Sequence, residues 1–284
     1  NDVWEDTLAN KIYIAGNFTS VNGSARKNLA RLNYNPILNS YSVDAWAPIT
    51  AMTGEIKCLA KYNDQLHIGG NFTSINGNAI YANWSVINII SATLGTFQPD
   101  AGGSTNEITD FVLDGNNLYV AGTNTIYDSG TAGRFNLAVF DVSTATPTLG
   151  LDPLTLNPSF NWGGSMEAVR LHLSGNRIYL CGRNFGGTLN DGIVAFDKTT
   201  LLQINSFNPS FTFEQVINCE SYNGKVYIVN SKIWPGGESV LEIDETTGAV
   251  TAGAFNVSSG GTPYSISRYK NYLYIAGTYN FFHT

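Results

Sequence analysis

A thirteen-residue string in this chain occurs almost twice: KIYIAGNFTSVNG from Lys11 returns as QLHIGGNFTSING from Gln65. Shorter copies follow as NLYVAG from Asn117, RIYLCG from Arg177, KVYIVN from Lys225 and YLYIAG from Tyr272. The aromatic at the centre of each copy is Tyr13, His67, Tyr119, Tyr179, Tyr227 and Tyr274, so successive anchors lie 54, 52, 60, 48 and 47 residues apart. A unit of roughly 40–50 residues plus loop insertions is the length of a four-stranded propeller blade.

Each unit resolves into four strands of period 2. Strand A precedes the anchor: EIKCLAKY from Glu55, EITDFVL from Glu107, EAVRLHL from Glu167 and QVINCESY from Gln215. A hairpin turn follows, expected at Asp114-Gly115 and Asn223-Gly224, dipeptides that accept positive φ. Strand B carries the anchor. Strand C reads NLARLN from Asn28, WSVINI from Trp84, NLAVFD from Asn136, IVAFD from Ile193 and VLEID from Val240. Strand D is short and is expected to end in an aromatic-x-Pro element, at Trp46-Ala47-Pro48, Phe97-Gln98-Pro99 and Phe207-Asn208-Pro209. No amphipathic helix of useful length interrupts the pattern.

The expected fold is therefore all-β. Four-stranded antiparallel units must bury their faces on one another, and radial closure does so while leaving only short edges. The expectation is one β-propeller domain over residues 1–284, of six or seven blades. The blades fall near 1–54, 55–106, 107–165, 166–214 and 215–262, with an incomplete one at 263–284. A β-helix is the rival architecture, but its coils are shorter and lack these hairpins. After Tyr274 only ten residues remain, too few for strands C and D. The expectation is that the natural polypeptide continues past residue 284, or that an assembly partner covers the open blade edge.

These strings resemble the delta-60-like β-propeller repeat family, whose repeats read roughly LYIGGxFTxxNG, then LARLD, then a turn and FNP. The likeness is carried by Ile12–Gly23, Leu29–Asn33, Leu66–Gly77, Phe207–Phe211 and Asp244–Gly248. It is strong in the first two copies and degraded in the fourth and fifth, where Asn184–Gly187 and Ser231–Gly236 replace NFTSxNG. The resemblance implies a propeller and a setting among extracellular bacterial proteins and phage structural proteins. It supplies no catalytic residues to carry over.

Composition narrows the functional classes. Apolar residues make up 43% of the chain and charged residues 13%, enough for a core and too little charge for disorder. The net charge is −7 and Lys and Arg form no run, which argues against a nucleic-acid partner. No apolar stretch is long enough for membrane insertion as a helix. Residue 1 is Asn rather than Met, so a preceding segment is expected to be missing. Cys58, Cys181 and Cys219 are too far apart for a CxxC motif and fall in strands, so buried thiols are expected. One disulfide plus an odd thiol remains the alternative.

Residues that could carry chemistry have structural readings beside them. His67 occupies a slot that holds Tyr elsewhere, and His67, His172 and His283 show no metal-ligand spacing. Gly163-Gly164-Ser165 fails as a nucleophile elbow, and the Gly186-Gly187 and Gly260-Gly261 pairs precede no helix that could hold a phosphate. Asp141, Asp197 and Asp244 each end strand C and open a turn, which needs a side-chain acceptor there. Glu55, Glu107 and Glu167 recur near the starts of strand A, which the repeat explains better than a unique acid/base pair does. No catalytic residue, metal or cofactor is expected. The sequons at Asn17, Asn22, Asn71, Asn83 and Asn256 read first as turn chemistry.

Two tryptophans stand apart as ligand-binding candidates. Trp162 lies in a D-to-A link and Trp234 in a B-to-C loop, two loop classes that emerge on one face of a propeller. Exposed aromatics there stack on sugars or anchor protein contacts. The expected function is a non-catalytic interaction scaffold at a cell surface or on a virion, such as a bacterial adhesin module or a phage tail or head fibre component. Its partner would be a surface glycan or a protein receptor. The alternatives are a propeller-type glycosidase or lyase, and a structural spacer in a larger assembly.

Overall fold

The computed structural model describes residues 1–95, 97, 107–126, 134–144, 148–149, 167–183, 192–209, 215–230, 240–251 and 262–278. The chain divides into two compact units, Asn1–Leu151 and Asp152–Thr284. Each holds three antiparallel meanders, called sheets 1 to 6 in chain order, and each meander adds its strands in chain order; the first unit also holds two two-stranded ribbons, Ser20–Val21 with Ser24–Ala25 and Met52–Thr53 with Ser74–Ile75.

In the first unit, sheet 1 runs Asp2–Asp6, Lys11–Ala15, Leu29–Asn35, Ser40–Val43. Sheet 2 runs Ile56–Tyr62, Gln65–Gly70, Trp84–Asn88, with the single bridge Ile87–Leu94 in the place of strand D. Sheet 3 runs Glu107–Asp114, Asn117–Ile126, Arg134–Asp141, Thr148–Leu149. In the second unit, sheet 4 runs Glu167–Ser174, Arg177–Arg183, Ile193–Asp197, closed by the bridge Phe196–Gln203. Sheet 5 runs Val216–Tyr222, Lys225–Asn230, Val240–Asp244, Val250–Thr251. Sheet 6 is the hairpin Thr262–Tyr269 and Tyr272–Thr278. A single 3₁₀ turn, Ala79–Tyr81, is the one helical element among the described residues. The fold is all-β, and strands A, B and C fall where the repeat placed them.

Within each unit, the alternation of strand B decides how its sheets stack. The anchor points forward, toward the next sheet, and its two neighbours point back toward the previous one. Leu66 and Ile68 therefore share a core with Tyr13 and Ala15 of sheet 1. Leu118 and Val120 share one with Cys58, Trp84 and Val86 of sheet 2. In the second unit, Val226 and Ile228 meet Tyr179 and Cys181, and Leu273 and Ile275 meet Tyr227 and Val229.

One regularity escapes the sequence reading: strand A is bulged in every sheet but the first. The register slips between Ile56 and Cys58, Ile108 and Asp110, Ala168 and Arg170, Val216 and Asn218, and Pro263 and Ser265. A bulge bends its strand and tightens the local twist. It also explains the glycine that strand B places opposite the bulge, paired with Ile56 in sheet 2 and Ile108 in sheet 3. A Cβ on Gly70 would lie 2.1 Å from the Glu55 carbonyl oxygen, and one on Gly122 would lie 2.4 Å from that of Glu107.

Two expectations need correction. The A–B turn of sheet 3 is centred on Gly115-Asn116, not Asp114-Gly115, because Asp114 pairs with Asn117. Gly115 alone of the two carries positive φ, 58°. The turn at Asn223-Gly224 has positive φ at both positions, 51° and 72°, as expected. The aromatic-x-Pro elements do not end strand D either; they follow it, and their aromatics fold back into the core. Trp46, Phe97 and Phe207 are all buried. Their rings meet Tyr13 at 5.6 Å, Trp84 at 4.9 Å and Tyr179 at 5.3 Å, edge to face.

The three cysteines are buried thiols, and no disulfide is present among the described residues. Cys181 and Cys219 meet across sheets 4 and 5 with Sγ atoms 2.9 Å apart.

Candidate binding surface

The meander order sends the B–C loops and D–A links to one end of every sheet and the A–B and C–D turns to the other. The first end is the one that sequence reasoning favours for binding. Trp162 and Trp234 both lie outside the described residues, as do His283, Asn256 and the side chain of Glu167.

In sheets 1 and 2 this loop end is built by asparagines. Asn76 Oδ1 accepts from the Thr50 N–H at 2.8 Å, the Ala51 N–H at 3.1 Å and the Thr50 hydroxyl at 3.0 Å. Its Nδ2 donates to the Pro48 carbonyl at 3.0 Å. One side chain thus ties the B–C loop to the D–A link. Asn28 does the same in sheet 1, accepting from the Phe18 N–H and donating to the Gly54 carbonyl at 2.7 Å. Asn71 accepts from the Glu55 N–H at 3.0 Å. The tips Asn22-Gly23 and Asn76-Gly77 have φ of 46° and 75°, and 52° and 79°, which Asn and Gly tolerate best. The NFTSxNG string therefore encodes a braced, polar loop. Of its sequons, Asn17, Asn22 and Asn71 are exposed, while Asn83 is buried and closed to modification in the folded chain.

The opposite end carries aliphatic residues that sequence reasoning missed. Leu8 in the first A–B turn is 97% exposed, Ile37 and Leu38 in the first C–D turn are 92% and 71% exposed, and Ile90 in the second C–D turn is 76% exposed. The signal was apolar residues inside turns, at Asn35-Pro-Ile-Leu-Asn39 and Asn88-Ile-Ile-Ser. Those turns share one construction with the aspartates. Asn35 Oδ1 accepts from the Ile37 and Leu38 N–H groups, and Asn88 from those of Ile90 and Ser91. Asp197 accepts from Thr199 and Thr200, and Asp244 from Thr246 and Thr247. Asp141 accepts from Ser143 at 2.8 Å. These bonds favour the charged carboxylate and hold all three aspartates below the ordinary range. Their turn role is complete without a metal or a substrate.

The remaining polar clusters brace sheets. At the starts of strand A, Lys57 sits between Glu55, at 3.9 Å, and Glu107, which it contacts directly. The shared cation joins these two carboxylates in an ion-pair ladder. His172 lies between sheets 4 and 5. Its Nε2 accepts the Ser221 N–H at 3.1 Å, meets the Ser221 hydroxyl at 2.8 Å and lies 3.6 Å from Glu220 Oε1. A nucleophile–base–carboxylate relay needs the carboxylate on the other ring nitrogen, to fix the tautomer. Here both partners crowd one nitrogen. Burial lowers the His172 pKa, against the pull of Glu220 and Glu245. Among the described residues no group of three His, Cys, Asp or Glu could hold a metal ion.

No family model matches this chain, and no curated protein is similar to it. Similar solved structures include two computationally designed proteins. Ika4 is 14% identical over 68% of this chain and 93% of its own, with a TM-score of 0.41. Ika8 is 12% identical over 88% of this chain and 78% of its own, with a TM-score of 0.44. At that level neither likeness carries an argument.

Proposed function

We propose that this chain is a non-catalytic interaction scaffold, a β-propeller that presents its loops to a surface glycan or protein receptor. The observation that carries the reading is the braced loop end. Asn28, Asn71 and Asn76 spend their side chains on holding loop to link, which gives a rigid platform for variable residues. The polar clusters, by contrast, are taken up in bracing.

Support for radial closure comes from how neighbouring sheets meet. Polar links join strand A to strand A. Asp2 accepts from the Leu59 N–H at 2.7 Å, His172 from Ser221 at 3.1 Å and Glu220 from Arg268 at 3.2 Å. Sheets tied along their first strands splay outward toward strand D, as blades do. The setting, a bacterial cell surface or a phage tail or head fibre, follows from the repeat resemblance.

The test is a glycan array and a receptor pull-down with the purified chain, repeated with Trp162→Ala and Trp234→Ala. Each substitution should weaken binding by about 1–3 kcal/mol without changing the melting temperature. Unaltered binding in both variants removes the tryptophans from the site. Hydrolysis of a mixed polysaccharide panel by the pure chain would overturn the scaffold reading itself.

A further inference from the structure

Three hydrogen bonds tie sheet 4 to sheet 5. The Ser221 N–H donates to His172 Nε2 at 3.1 Å, joining their A strands. Arg177 donates to the Glu245 carbonyl at 2.6 Å and the Tyr179 hydroxyl to Glu245 Oε1 at 3.1 Å, joining strand B of sheet 4 to the C–D turn of sheet 5. Two residues along the same strands, Cys181 meets Cys219 with Sγ atoms 2.9 Å apart. Both side chains are buried. Asn218 holds the second cysteine in place: its Oδ1 accepts the Cys219 N–H at 2.8 Å, and its Nδ2 donates to the Ile266 carbonyl of sheet 6 at 3.3 Å. The repeat shows what this slot holds elsewhere. The residue two after the anchor on strand B shares a core with a residue of the next strand A, Ala15 with Leu59 and Val229 with Ile266. Gly69 lies against Phe111, whose ring a Cβ would meet at 2.9 Å. Alkyl and aromatic groups fill those three junctions, so burial alone does not call for sulfur. Among these junctions, two thiols meet only between sheets 4 and 5.

We infer that Cys181 and Cys219 are a redox latch, two thiols that a peroxide joins into a disulfide across sheets 4 and 5. One sulfur, as the thiolate, attacks a peroxide oxygen; the O–O bond breaks and a sulfenic acid forms. The second thiol then attacks that sulfur, the S–S bond forms and the hydroxyl leaves as water. In sum two thiols and one hydrogen peroxide give one disulfide and two waters, with two electrons passing from sulfur to peroxide oxygen. A disulfide needs the sulfurs at about 2.05 Å, which is under about 1 Å of travel from where they stand. The bond would join residues 38 positions apart and enclose strand C of sheet 4, Ile193–Asp197. Closing that loop restricts the unfolded chain and so stabilises the second unit. Burial of both sulfurs shuts out bulky oxidants, so a small one is required. The latch stays open where thiols are kept reduced and sets in an oxidising compartment. Cys58 has no part in it, since its Sγ lies against the Ile108 carbonyl, at 4.0 Å.

The test starts from the fully reduced chain and adds hydrogen peroxide. The expected product has an intact mass two hydrogens lower. Its peptide map under non-reducing conditions links Cys181 to Cys219 and leaves Cys58 open to alkylation in denaturant. Its melting temperature is higher by roughly 5–10 °C, and reductant reverses the rise. Cys58→Ala should give the same link and the same rise. Three thiols still open to alkylation after peroxide would overturn the inference, as would oxygen added to Cys181 or Cys219 in place of a link, or a link through Cys58. So would a linked form that melts no higher than the reduced chain, since the bond would then strain the junction rather than lock it. The readout is a bond inside the second unit, so it is independent of any ligand on the loop end.

Discussion

His67 is the one anchor that is not tyrosine, and acid should expose the difference. It is 1% exposed. Its Nδ1 accepts the Trp84 indole N–H at 3.3 Å, so the ring proton belongs on Nε2, an atom with no hydrogen-bond partner among the described residues. Burial pulls the imidazole pKa from 6.5 to about 3. The unfolded chain therefore takes up a proton at His67 below about pH 6.5, while the folded chain does not until about pH 3. Stability is fully present above 6.5 and is lost progressively as pH falls through that window. At pH 4.5, two units below the unfolded value, the loss is about 2.7 kcal/mol at ~1.36 kcal/mol per unit. For a chain of this size that is a drop of roughly 5–10 °C in Tm. The assay compares wild type with His67→Gln, whose amide oxygen can still accept from Trp84, in thermal melts at pH 7 and pH 4.5. The acid-induced loss should be about 2.7 kcal/mol smaller in the variant, whatever repacking costs at pH 7. Equal acid sensitivity in the two proteins, or a His67 pKa near 6 by NMR titration, would refute the burial argument.

Gly122→Ala should destabilise the third sheet by about 3 kcal/mol in a denaturant titration, because the new Cβ meets a bulged backbone carbonyl rather than a movable side chain; an unchanged midpoint would mean that the bulge yields freely. Asp44 joins strands B, C and D of sheet 1, contacting Lys11 at 3.1 Å, Arg31 at 3.0 Å and the Trp46 N–H at 2.8 Å. Burial alone would raise its pKa, but the Arg31 bond, the Trp46 N–H and Lys11 outweigh that and hold it at about 2. Asp44→Asn should cost about 2 kcal/mol at pH 7, and the wild-type advantage should fade as pH drops from 3.8 toward 2; an advantage that persists at pH 2 rules the ion pairs out. Reductant should leave the melting temperature unchanged, since all three cysteines are buried thiols; a lower Tm under reductant, with a mass two hydrogens short without it, would instead reveal a Cys181–Cys219 disulfide.

What the sequence discloses follows from how often each feature is repeated. Strands A, B and C are legible because six anchors and their alternating flanks carry the same instruction, and any one weak copy is corrected by the others. The bulge in strand A recurs in five of the six sheets yet was missed, because no residue type marks it. Its trace is the glycine opposite it on strand B, Gly70 and Gly122, a constraint written on the neighbouring strand. The turn reading stopped at Asp141, Asp197 and Asp244, although Asn35 and Asn88 make the same bonds. The left-handed position four residues on is filled by Asn39, Ala92, Leu201 and Gly248, with φ of 45°, 59°, 56° and 75°, a set with no shared side-chain property. Packing overrides preference there: Leu201 is 1% exposed and stays despite the backbone strain. A binding residue is in the opposite situation. It occurs once, on a loop that the repeat does not constrain, so no second copy exists against which to recognise it. Leu8, Ile37, Leu38 and Ile90 show the same blindness from the other side, being departures from turn chemistry that look like noise in a single sequence. The repeat thus explains why the strands can be read, since whatever distinguishes this chain lies in the residues where its copies disagree.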